Sequence, residues 1–152
     1  MSNVEVSRAL QRDNSIKLHG PDGFAGMRKA GQLAAAALDM ITPHVKPGVA
    51  TDHLDALVME FARDHGAIPA PLNYRGFPKA ICTSINHVVC HGIPGPKPLR
   101  EGDIVNIDVT LIVDGWHGDS SRMYPVGVIP RRAERLIEVT YEAMMRGIAA
   151  IK

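Results

Sequence analysis

Two aspartates, Asp108 and Asp119, are the residues best suited to chemistry, and they lie on either side of the pair Asp114-Gly115. An Asp-Gly pair between alternating apolar residues is the strongest short-range signal for a β-hairpin, because a two-residue type I′ turn needs positive φ at both central positions. The sequence therefore predicts a tight hairpin with one carboxylate on each strand.

The turn also predicts which residues pair across the hairpin. If Val113 lies opposite Trp116, then Thr110 lies opposite Asp119, and Asp108 becomes a diagonal neighbour of Asp119 on the same face. Diagonal neighbours have Cα atoms about 7 to 8 Å apart, within reach of a shared cation. Hard cations favour carboxylate oxygens, although a polar face that is simply solvated fits this pattern too. The predicted polar face comprises Asn106, Asp108, Thr110, His117, Asp119 and Ser121.

Composition limits the class of protein. The chain has 152 residues, of which 45% are hydrophobic and 22% charged, with a net charge of +1. These values indicate one globular domain and give no signal for nucleic-acid binding. No segment has the pattern of a signal peptide or a membrane span, so we expect a soluble, cytoplasmic protein. Cys82 and Cys90 are too few for a disulfide framework and too widely spaced for a CxxC pair, so we expect free thiols.

The periodicity of apolar residues predicts helices on both sides of a β region. Residues 1–20 lack periodicity and are predicted to be an N-terminal arm, followed by one unit over residues 21–152. Thr51 is predicted to cap the second helix, and Pro130 to open the third. The predicted elements are helices over 24–45, 51–65 and 130–152, short strands over 79–84 and 87–91, and the hairpin over 103–128.

Four longer motifs occur in order: NYRGFPKAICTSIN, VCHGIP, NIDVT and HGDSSRM. With these motifs, residues 20–152 closely resemble the first half of a bacterial type I methionine aminopeptidase of peptidase family M24. The resemblance implies the pita-bread fold, in the α/β (α+β) class. In that fold two similar halves surround a dinuclear metal site, and each half is an antiparallel sheet with helices packed on one side.

The resemblance implies that Asp108 and Asp119 are metal ligands, since they match the aspartates of NIDVT and HGD in that family. The implied cofactors are two divalent metal ions, and carboxylate-rich sites accept cobalt, manganese, iron or zinc. Thr110 is predicted from the hairpin register to orient these carboxylates without binding the metal itself. His117 shares the polar face, but the family does not use that position as a ligand.

The same resemblance assigns residues to substrate. His91, in VCHGIP, matches a catalytic histidine that hydrogen-bonds the substrate near the scissile amide. Tyr74, Phe77 and Cys82 match positions that line the pocket for the methionine side chain. Aromatic and sulfur-bearing walls suit an unbranched thioether.

The function implied by the resemblance is removal of the initiator methionine from N-terminal methionine peptides and nascent chains, at the ribosome and in the cytoplasm. Complete family members are commonly monomeric. Their second half supplies one histidine and two glutamates to the metals and a further catalytic histidine, and the sequence up to Lys152 does not include that half. We therefore expect an amino-terminal half that is inactive alone. A non-catalytic pita-bread binding module and an aminopeptidase P or prolidase-type relative remain alternatives.

Overall fold

A computed structural model of the chain describes residues 16–151. The predicted N-terminal arm over residues 1–20 therefore lies mostly outside the described residues, and residues 16–20 carry no regular secondary structure. The elements, in chain order, are α1 (Pro21–Ile41), α2 (Thr51–Asp64), β1 (Ile68–Pro69), β2 (Cys82–Ile85), β3 (Ile104–Val113), β4 (Trp116–Pro125) and α3 (Arg131–Ala150).

Strand β3 is the centre of an antiparallel sheet. It pairs with β4 along one edge and with both β1 and β2 along the other. The predicted register is confirmed, since Val113 pairs with Trp116 and Thr110 with Asp119. The turn has φ of 50° at Asp114 and 82° at Gly115, the two positive values that a type I′ turn requires.

The core lies between one face of this sheet and the helices α1 and α2. Alternate residues of β3 are buried, as the sequence pattern predicts for a strand with one apolar face. Small residues bring α1 close to β4, because Ala30 is fully buried and a Cβ on Gly118 would lie 2.1 Å from the Ala30 carbonyl oxygen. Only glycine fits at position 118, so this close packing fixes the hairpin against α1.

Two local predictions are wrong. The N-cap of α2 is Ala50 instead of Thr51, because the Thr51 hydroxyl bonds the backbone of Gly95 instead of capping the helix. Residues 87–91 do not form a strand. The chain turns there, with positive φ at Asn86 (53°) and His91 (54°), and such backbone angles are incompatible with an extended strand.

Helix α3 differs from α1 and α2, which pack on one side of the sheet as predicted. It has no buried residue, and its apolar residues Leu136 and Ile148 are 59% and 55% exposed. Its apolar stripe has the spacing of a packed helix, but no described element buries it. Among residues 16–151, no helix is both long enough and apolar enough to cross a membrane.

Candidate functional site

An open cleft of about 770 Å³ lies over the polar face of the sheet. Strands β2, β3 and β4 contribute to its lining, as do the irregular segments before and after β2. Every residue that the sequence singled out for a role lies in this lining, namely Tyr74, Phe77, Cys82, His91, Asp108, Thr110 and Asp119. Residues that are up to 45 positions apart in the sequence therefore meet in one place.

The two aspartates occupy the hairpin side of the cleft. Asp108 lies at the centre of the sheet, paired with Cys82 on β2 and with Ser121 on β4, and it is partly buried. Burial raises the pKa of the Asp108 carboxyl above its usual range, and the neighbouring Asp119 carboxylate raises it further, whereas His91 lowers it. Within residues 16–151, neither aspartate forms an ion pair with lysine or arginine.

This arrangement fits a divalent cation. Two neighbouring carboxylates without a basic partner repel each other, and a dication between them would turn the repulsion into attraction. The donor set is incomplete in the described part of the chain, where no group of three or more His, Cys, Asp or Glu residues could hold a metal ion. Asp108 and Asp119 thus fit part of a metal-ligand set.

His91 belongs to the loop over residues 86–97, here called the His91 loop. The loop joins β2 to β3 and has no helix or strand of its own. His91 has left-handed backbone angles with φ of 54°, a conformation that non-glycine residues seldom adopt and that often occurs at functional sites. Its side chain lines the cleft, close enough for its charge to act on Asp108.

The segment before β2 and the first residue of β2 form an aromatic and sulfur-bearing wall. A short 3₁₀ turn over Tyr74–Gly76 follows Asn73, whose φ is 65°. The Asn73 amide donates to the Phe77 carbonyl at 2.8 Å, which closes the turn. Cys82 is buried, and burial together with the charge of Asp108 raises its thiol pKa to about 11. The thiol is therefore neutral near pH 7 and gives the wall an uncharged surface.

Other lining residues were not assigned a role by the sequence, and they include Ala70, Arg75, Ile93, Ile112 and His117. His117 lies on the predicted polar face, at a position that the family does not use as a ligand. The register places it opposite Ile112, and both residues line the cleft. Arg75 was visible within the NYRGF motif, and its guanidinium lies 5.4 Å from the centre of the Tyr74 ring. Strand β1 is too short to leave a periodic signal.

Comparison with known proteins identifies the family. The sequence profile described as "Metallopeptidase family M24" matches residues 25–152. This chain belongs to metallopeptidase family M24. The M24 chain is 62% identical over 138 residues to the methionine aminopeptidase of Rickettsia prowazekii, an alignment that covers 91% of this chain and 53% of that protein. It spans about half the length of the curated relatives it matches.

Solved structures agree with this assignment. The M24 chain resembles the crystal structure of the Rickettsia prowazekii methionine aminopeptidase with a TM-score of 0.86 and 64% identity, covering 88% of this chain and 54% of that one. It resembles the Thermotoga maritima methionine aminopeptidase with a TM-score of 0.87 and 34% identity, covering 91% and 56%. The predicted pita-bread fold is confirmed.

Proposed function

We propose that these residues are part of a methionine aminopeptidase, which hydrolyses the peptide bond after an N-terminal methionine. The observation that carries this proposal is that Asp108, Asp119 and His91 meet in one cleft. The aromatic and sulfur-bearing wall borders the same cleft. A binding module would not need this combination of an acid pair, an imidazole and a wall suited to a thioether. The 62% identity to a methionine aminopeptidase supports the same reaction.

Asp108 and Asp119 would hold the metal ions, two divalent cations chosen among cobalt, manganese, iron and zinc. When bound, such ions would polarise the scissile carbonyl and would acidify a water molecule enough to supply hydroxide near neutral pH. Thr110 pairs with Asp119 across the hairpin and lines the cleft, so we expect it to orient the carboxylates. Replacing it, as Thr110→Val, should weaken metal binding about 10-fold or more, and unchanged metal affinity would contradict this role.

His91 would bind the substrate next to the scissile amide. Its imidazole lies on the same cleft as the acid pair, where a hydrogen bond can support the oxygen that gains charge during attack. Tyr74, Phe77 and Cys82 would surround the methionine side chain, because thioether sulfur packs well against ring edges and neutral sulfur.

We propose that the 152-residue chain is inactive when alone. By resemblance to the family, the remaining ligands are one histidine and two glutamates from the second half, which the 152 residues do not include. Two carboxylates give too few protein ligands to hold and shape a dinuclear centre. If the purified chain released methionine from a Met-Ala-Ser peptide, and a chelator abolished that activity, the result would contradict this point.

We also propose that the substrates are N-terminal methionine peptides and nascent chains, processed in the cytoplasm and at the ribosome. The complete enzyme would act as a monomer, as family members commonly do. Two alternatives are a non-catalytic module and a proline-directed peptidase. Neither is supported by an observation as strong as the residues of the cleft and the identity to methionine aminopeptidases.

A chimaera tests the function. Residues 20–152 would replace the matching part of the Rickettsia prowazekii methionine aminopeptidase, which supplies the other half of the site. We expect methionine release from Met-Ala-Ser, and Asp108→Asn should lower kcat/KM by more than about 100-fold. Asp114→Asn is the matched control, because Asp114 lies in the turn and pairs with Lys29 at 2.7 Å. A folded chimaera without activity, or an active Asp108→Asn variant, would overturn the proposal.

A further inference from the structure

The His91 loop is held to the rest of the protein at two points that flank its irregular centre. The first point is Gly92, directly after His91. Its amide donates to the Ser84 hydroxyl at 3.2 Å, and its carbonyl accepts from the Thr83 amide at 2.8 Å. A Cβ at position 92 would lie 2.1 Å from the Thr83 carbonyl oxygen, so only glycine permits this approach to β2. His91 is therefore placed one residue from a fixed point on the sheet.

The second point is Gly95, which is bound at the start of α2. The Thr51 hydroxyl accepts from the Gly95 amide at 2.9 Å and donates to the Gly95 carbonyl at 3.2 Å. The Asp52 amide donates to the same carbonyl at 3.1 Å. This contact joins residues 44 positions apart. It uses the Thr51 hydroxyl, which does not cap α2. It fixes the far side of the loop independently of β2.

Both anchoring hydroxyls are buried, with Thr51 3% and Ser84 4% exposed. A buried hydroxyl costs free energy unless it is hydrogen-bonded, and each of these two is hydrogen-bonded to the His91 loop. The neighbouring Thr83 offers a contrast. Its hydroxyl is also buried, but it has no hydrogen-bond partner among the described residues. Ser84 and Thr83 thus differ in whether their hydroxyl reaches the loop.

We propose that Ser84 and Thr51 are positioning residues, whose hydroxyls hold the His91 loop in the conformation that directs the His91 side chain into the cleft. The importance of that position for catalysis rests on the function proposed above. The anchoring itself rests only on the hydrogen bonds, the glycine approach and the left-handed backbone of His91.

Nuclear magnetic resonance of the isotope-labelled 152-residue chain tests this proposal without requiring activity. The two readouts are amide hydrogen exchange at Gly92 and Gly95, and the chemical shift of the His91 imidazole. Losing one hydrogen bond should accelerate exchange at the bonded glycine by roughly 2- to 10-fold. Ser84→Ala should do so at Gly92 and Thr51→Val at Gly95, and each should shift the His91 resonance.

Three controls separate positioning from general support of the fold. Thr83→Val removes the unbonded hydroxyl next to Ser84 and should leave the His91 resonance in place. Thr51→Ser keeps the hydroxyl and should restore the wild-type resonance. His65 lies at the far end of α2, and its imidazole resonance is the internal reference that should not shift. If Ser84→Ala or Thr51→Val fails to fold, the other variant still tests the proposal, because the two hydroxyls bind different glycines.

An unmoved His91 resonance in a folded Ser84→Ala or Thr51→Val chain would overturn the proposal. An equal shift in Thr83→Val would overturn it as well. Neither result would bear on methionine release by the chimaera, so failure of the anchoring and failure of the proposed function are distinguishable.

Discussion

The hairpin β3–β4 and the His91 loop both contribute to the cleft, yet they place their side chains by different means. In the hairpin, strand alternation and a two-residue turn determine where Asp108 and Asp119 point. In the loop, the position of His91 depends on a close glycine approach and on hydroxyl groups from β2 and α2. One region is specified locally, and the other by contacts distant in sequence.

The two parts of the cleft should therefore respond differently to substitution. The hairpin forms the core of the sheet, so disturbing it should reduce the stability of the whole chain. The loop buries little apolar surface, as shown by Val89, which is 92% exposed. Disturbing the loop should change local geometry and leave global stability almost intact.

The largest expected contrast comes from removing an isoleucine from each region. Ile107 in β3 is fully buried, whereas Ile93 in the loop is 59% exposed. Ile107→Ala should reduce the free energy of unfolding by about 2–5 kcal/mol, because it leaves a cavity in the core. Ile93→Ala should change it by less than about 0.5 kcal/mol. Urea denaturation measures both, and similar losses would remove the distinction between the regions.

Cysteine reactivity offers a second contrast. Burial and Asp108 raise the pKa of Cys82, in β2, from 9.0 to about 11, whereas Cys90, in the loop, is exposed. Because the thiolate is the reactive form, a pKa raised by two units lowers the reactive fraction of Cys82 about 100-fold near pH 8. Iodoacetamide at pH 8 should modify Cys90 first, and Cys82 should react only as the pH approaches 11. Equal labelling rates in peptide mapping would contradict this.

Two glycines, one in each region, should respond differently to replacement by alanine. A Cβ would lie 2.1 Å from a backbone oxygen at both Gly118, in the hairpin, and Gly92, in the loop. Gly118→Ala should reduce stability by about 1–3 kcal/mol, because α1 must move away from the sheet. Gly92→Ala should displace only the His91 loop, visible as faster local amide exchange. Gly31→Ala in α1 is the control, since its Cβ would meet nothing within 4 Å. A global loss from Gly92→Ala that equals the loss from Gly118→Ala would contradict the account.

The same contrast explains what the sequence could predict. The Asp114-Gly115 turn and the alternation of β3 carry their signal within a few residues, so the register was predicted correctly. The wrong predictions, the cap at Thr51 and the strand over 87–91, both involve the His91 loop. Thr51 suits an N-cap by residue type, but its hydroxyl is used by Gly95, a contact that no local pattern reveals. Tyr74, Phe77, Cys82 and His91 were found by resemblance, and alternation along the hairpin places His117 on the polar face, whereas Ile112 needed the geometry of the sheet.

Binding of Mn²⁺ to the isotope-labelled 152-residue chain tests whether the hairpin places a pair of metal-binding carboxylates in the cleft. We expect paramagnetic broadening centred on Asp108 and Asp119, with weak affinity because the ligand set is incomplete. Asp108→Asn should abolish the broadening, and Asp114→Asn should preserve it. Three results would contradict this expectation: no broadening, broadening centred on another acidic group such as Asp52 and Asp55, and broadening that Asp108→Asn leaves unchanged.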